Sequence, residues 1–101
     1  MARARRPIAL PFLRVRVVGE SMAPTLRDGD TCLVRRTRRI RPGQVVVIER
    51  PDRPGLVIVK RVWRREPGGW WVEGDNLDAS DDSRLFGPVP DELVIGVVVR
   101  R

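Results

Sequence analysis

The chain has 101 residues, 42% of them hydrophobic and 33% charged, with a net charge of +7, which makes one domain with a modest core. It contains no histidine and one cysteine, Cys32. That excludes a Ser-His-Asp or Cys-His catalytic group, an internal disulfide and a structural zinc site. Any catalytic base is then a carboxylate, a lysine or water, and no metal or other cofactor is implied. In chain order, residues 1–12 read as a basic arm ahead of a single domain over 13–101. The arm's apolar run, Ile8 to Leu13, is interrupted by Pro11. It is too short for a secretory leader or for the roughly 20 residues of a membrane span. The expectation is a soluble, cytoplasmic protein without a span, with peripheral membrane contact through the arm left open.

From residue 13 onward, Val-rich runs recur at 13–18, 30–36, 44–50, 56–63, 70–74 and 93–100. Turn residues separate them: Asp28-Gly29-Asp30, Pro42-Gly43, the Pro51–Gly55 stretch and Pro67-Gly68-Gly69. Six short strands at this spacing predict an all-β barrel or sandwich, antiparallel because crossover helices have no room. Cys32 alternates with charged neighbours in "DTCLVRR" and reads as a small buried hydrophobe. Two stretches break the strand pattern, "GESMAPTLRDGD" (19–30) and "GDNLDASDDSRLFGPVP" (74–90). A loop as long as the second tends to be functional or disordered, and its Asp and Ser side chains can fold it by bonding to backbone.

Lys60 is the chain's one lysine, against 19 arginines. Alternation along 56–63 sets Leu56, Ile58, Lys60 and Val62 on one face. A free lysine titrates near 10.4, and aliphatic surroundings depress that value by penalising the ammonium. A neutral lysine is a general base, whereas arginine is never deprotonated in a protein. The competing reading is a lysine at a strand end reaching for water. A lysine base activates a serine, and Ser21 lies in a tight segment between Gly19 and Pro24. Taken alone, a serine in such a segment is more often a turn or cap residue than a nucleophile.

"GESMAPTLRDGD", then "VKR", then "GDNLDASDDSRLFGPV" closely resemble the successive boxes of type I signal peptidases, in the same order and over most of residues 15–99. Self-cleaving repressors of the LexA type share the Ser/Lys chemistry and the β fold, but the third box points away from them. The resemblance implies an all-β catalytic core of strongly coiled antiparallel sheets, barrel-like in form. It implies Ser21 as nucleophile and Lys60 as general base, with Ser80 orienting the lysine and Asp82 with Arg84 bracing the site. It further implies Met22 and Pro24 along the substrate groove, and backbone donors at Gly19 and Ser21 for the oxyanion. Some members place a serine hydroxyl where this chain has Gly19, so the second donor departs from the pattern. The implied substrate is a precursor protein or peptide with small residues before the scissile bond. In size the chain resembles the protease that matures nickel-type superoxide dismutase, which implies removal of a short N-terminal extension from that precursor.

The alternative is a basic β-barrel without catalytic activity that binds nucleic acid through "RRTRRIR" (35–41) and the ring faces of Trp63, Trp70 and Trp71. It accounts for neither the lone lysine nor the Ser21 segment, so no nucleic-acid partner is expected. The acidic stretch "DNLDASDD" lacks the alternating oxygens, central glycine and closing glutamate of a calcium loop. The sequence leaves the oligomeric state open.

Overall fold

The computed structural model describes residues 11–101, so the arm expected over 1–12 lies, apart from its last two residues, outside the described residues. Six strands form, each on one of the Val-rich runs: β1 (Phe12–Arg16), β2 (Thr31–Arg36), β3 (Val45–Glu49), β4 (Val57–Glu66), β5 (Gly69–Glu73) and β6 (Val94–Arg100). They make one sheet in the order β1-β2-β6-β3-β4-β5, with every neighbouring pair antiparallel. The expected all-β fold is what the chain adopts. The sheet stays open, because β1 and β5 are its two edges and do not pair with each other.

Alternation puts the valines of the central strands on both faces, so the sheet carries two cores. Val46, Ile48 and Val62 belong to a cluster with Ile40, Val72, Val89, Val94 and Val97. Val47 belongs to the opposite cluster, with Val17, Met22, Leu26, Cys32 and Val34. In the β3–β4 register Val46 faces Lys60 and Ile48 faces Ile58, while Val47 faces Val59. Lys60 therefore projects from the first face, as its alternation with Ile58 and Val62 predicts. A bulge between Val62 and Arg64 resets the pattern, leaving Trp63 52% exposed. Cys32 is buried as expected, and burial pushes its thiol up.

One opening in the molecule lies beside β4. β5 pairs with β4 only from Arg61 onward, so among the described residues no strand lies on the β5 side of Val57–Lys60. A cavity of about 260 Å3 runs between Val57–Lys60 and Val15–Val18 and reaches Ser21 and Met22. The 74–90 stretch is folded: a 3-10 turn at Leu77–Ala79 and one helical turn, α1 (Ser83–Phe86), whose N-terminus Asp82 caps by accepting from the Arg84 N–H. Among the described residues no helix is long and apolar enough to cross a membrane.

Candidate active site

The segment after β1 sets the position of Ser21. Val17 closes on the far end of that segment, its N–H donating to Asp30 O and its carbonyl accepting from Gly29, both at 2.8 Å. Gly19, at φ +87°, takes a left-handed conformation that reverses the chain into the Ser21 turn. Met22 and Leu26 then bury in the second core and are joined by a Leu26 N–H to Met22 O bond of 3.0 Å. From the other side Asn76 donates to Ser21 O at 2.9 Å through its backbone and to Glu20 O at 3.1 Å through Nδ2.

Against this turn stands Lys60, 3% exposed, with Nζ 2.8 Å from Ser21 Oγ. The water-seeking reading of the lysine does not hold: the side chain is buried at the foot of the cavity and meets a serine. Burial pushes its ammonium down from the ordinary lysine value, and the Arg50 charge adds to that. The carboxylates of Asp82 and Asp81 oppose it without reversing it.

Asp82 is buried and organises the third segment. Its carboxylate accepts from Ser80 Oγ (2.9 Å), the Gly74 N–H (3.0 Å) and Arg84 Nε (2.9 Å) and Nη2 (3.0 Å). Burial pushes this carboxyl up, but the hydrogen bonds from Arg84, Gly74 and Ser80 outweigh it and hold the group below the usual carboxylate range. Asp82 and Arg84 thus sit together in a paired arrangement beside the lysine. Ser80 lies in the same network with its hydroxyl on Asp82, not on Lys60. Gly19 differs likewise: its N–H donates to Asp28 Oδ1 at 2.8 Å. Met22 lines the cavity, and Pro24 is exposed and does not line it.

Three residues matter here that the sequence reading passed over. Asp75 is clamped by Arg61 Nε (2.8 Å) and Nη2 (2.7 Å) and receives the Thr25 hydroxyl at 2.6 Å, which ties β4 to the Ser21 turn. The Arg61 guanidinium holds the Asp75 carboxyl low against the opposing effect of burial. Asn76 anchors Ser21 itself. Gly74 gives space: a Cβ there would stand 2.5 Å from Ser21 O and closer still to Ser80 Oγ. The tripeptide "GDN" was visible in the sequence, but its contacts to Glu20, Ser21, Met22 and Thr25 reach 50 or more residues back along the chain.

A family model described as peptidase S24-like matches residues 10–99. Mitochondrial inner membrane protease subunit 1 of Xenopus tropicalis is 36% identical, covering 82% of this chain and 64% of the relative. Mitochondrial ATP-independent inner membrane protease subunit 1a of Arabidopsis thaliana is 35% identical, covering 84% and 67%. Human mitochondrial inner membrane protease subunit 1 is 32% identical, covering 77% and 61%. The chain thus spans about two thirds of the length of these curated relatives. Their names correct the cytoplasmic location expected above. That expectation rested on a short apolar run in the N-terminal arm, whereas relatives matching over most of the chain are named for a mitochondrial inner membrane. With residues 10–99 matched and more than four fifths of the chain aligned at 36% identity, the chain belongs to the peptidase S24-like family, and its relatives are proteases named for an inner membrane.

Proposed function

We propose that the protein is a serine endopeptidase in which Lys60 is the general base for Ser21. The observation that carries the reading is the 2.8 Å contact between Ser21 Oγ and a buried Lys60 Nζ whose charged form is disfavoured. Neutral Lys60 accepts the Ser21 proton as Oγ attacks the scissile carbonyl, and the ammonium then returns that proton to the leaving amine. Neutral Lys60 next takes a proton from water as its oxygen attacks the acyl carbon, and the ammonium passes that proton to Ser21 Oγ as the ester bond breaks. The Ser21 N–H faces the developing oxyanion. With the Gly19 N–H bonded to Asp28, a second donor joins only when Asp28 releases it. Ser80 acts through Asp82 instead of touching the lysine, and Arg84 completes that brace.

The cavity suits an extended chain. Its walls are the outer edge of β1 and the stretch of β4 beyond β5, neither paired among the described residues, so a substrate strand finds backbone partners on both sides and ends at Ser21. Val15, Val17, Val57, Val59 and Met22 leave room for small side chains before the scissile bond. Removal of a short N-terminal extension from a precursor fits this arrangement, and by likeness to the relatives the precursor is met at a membrane. The nickel-type superoxide dismutase precursor rests on the resemblance in size, so it enters as one arm of the test.

The test incubates the protein with a precursor bearing small residues before the expected cut, and in parallel with the superoxide dismutase precursor, and reads the products by mass spectrometry. Cleavage is expected from the wild type, with losses of at least about 10^4-fold in Ser21→Ala and Lys60→Arg. Full activity in folded Lys60→Arg refutes the lysine base.

A further inference from the structure

Two of the buried polar residues are cations, Lys60 and Arg50, the latter 5% exposed. They share a face of the sheet. Val46 faces Lys60 and Ile48 faces Ile58, and Arg50 continues the same alternation, its N–H donating to Leu56 O at 2.8 Å. Three carboxylates lie around the pair. Asp82 is taken by Arg84. Asp52 is gripped by Arg50 through Nε (2.6 Å) and Nη2 (3.1 Å), and Arg50 Nη1 reaches Asp81 at 3.5 Å. The Arg50 guanidinium also lies over the Phe86 ring, 5.3 Å from its centroid, which joins the β3–β4 turn to the segment that carries Asp81 and Asp82.

Asp82 is thus bonded to Arg84 and Asp81 lies within reach of Arg50, and among the described residues the lysine keeps one hydrogen-bond partner, Ser21. The competition is one-sided, because a guanidinium does not release its proton and binds carboxylate with a planar fork. We propose that Arg50 is a positioning residue for Lys60: it draws Asp81 to itself, fixes the 81–86 segment beside the lysine and leaves the amine to Ser21. The proposal rests on the reading of Lys60 as the base. The groups that face the lysine divide cleanly. Asp81 and Asp82 favour the ammonium, while burial and Arg50 disfavour it. Asp81 is 68% exposed, so water screens part of its effect, and the consequence of losing Arg50 is moderate in size.

The lone lysine supplies a direct readout. Protein grown on lysine labelled with carbon-13 at Cε gives one resonance, whose titration midpoint reports Lys60 whether or not any peptide is cleaved. In Arg50→Gln the midpoint rises by about one pH unit, and kcat/KM on the acid side falls about tenfold as its limb moves with it. Adding Asp81→Asn to that background brings the midpoint back down, by more than the same change does when Arg50 is present. An unmoved midpoint in folded Arg50→Gln, or a rise that Asp81→Asn does not relieve, overturns the proposal. Should Arg50→Gln fail to fold, Asp52→Asn decides: it leaves the guanidinium to Asp81 and lowers the midpoint, and an equal or higher midpoint refutes the role. A depressed midpoint that still responds to Arg50→Gln in a protein that cleaves nothing supports Arg50's role and sinks the peptidase reading alone.

Discussion

Gly74→Ala puts the assembly of the site to its sharpest test. Gly74 comes directly after β5 with an ordinary backbone conformation, so alanine brings no dihedral strain and the change probes contact alone. The new Cβ would stand 2.5 Å from Ser21 O and 2.6 Å from Ser80 Cβ. Carbon contacts settle near 3.5 Å, so these atoms must recede by about 1 Å. Rotating Ser80 does not help, because its Cβ is itself in the way. Ser21 O is held by the Asn76 N–H at 2.9 Å, so the displacement passes into the turn and opens the 2.8 Å Ser21–Lys60 contact. A misplacement of about 1 Å costs on the order of 10²-fold in rate, and overpacking of this kind costs about 1–3 kcal/mol of stability. The assay is kcat/KM on a cleaved precursor together with thermal unfolding. Gly43→Ala is the control: at φ +91° with no atom of another segment within 4 Å of its Cβ, it strains its own turn and places no atom against Ser21 or Ser80. A Gly74→Ala enzyme within about threefold of wild type, or a Gly43→Ala enzyme equally impaired, refutes the reasoning.

Stability carries the signature of the buried lysine. Because the folded value is depressed, the unfolded chain holds the lysine proton more tightly between that value and about 10.4, so stability rises with pH through this window and the full cost of charging is felt below it. Lys60→Met removes this slope, and denaturant unfolding across pH shows its advantage over wild type widest at low pH and closing toward about 10.4; parallel curves contradict the burial argument. Asp82→Ala strips partners from Gly74, Ser80 and Arg84 and costs about 3 kcal/mol, the low end for a broken buried pair because the Arg84 side chain is 43% exposed and turns to water. Cys32, 1% exposed with its thiol raised by burial, reacts with a thiol reagent only as fast as the protein unfolds; rapid labelling of the native state contradicts its place in the core.

Periodicity sets the limit of how much the sequence disclosed. Alternation describes the two faces of a single strand, so all six strands and the inward direction of Lys60 were legible. A lone lysine among 19 arginines raised the question of its role, and the resemblance of the Ser21 and Ser80 segments supplied the reading of it as a base. Pairing between distant segments leaves no such trace. Nothing in "LVIGVVVR" says that β6 inserts between β2 and β3, and the open edge of β4 depends on how far β5 happens to run beside it. The same limit explains the departures at the site. The Gly19 N–H is answered by Asp28 and the Ser80 hydroxyl by Asp82, local partners that only the folded turns bring into range. Arg50 was hidden for the opposite reason, as one arginine among many, told apart only by burial. The chemistry therefore divides between what one residue can be and what its neighbours leave it. On the proposed reading, position 60 needs an ammonium able to lose its proton, and Arg50 and Arg84, which cannot lose theirs, would occupy the carboxylates that otherwise hold that proton in place.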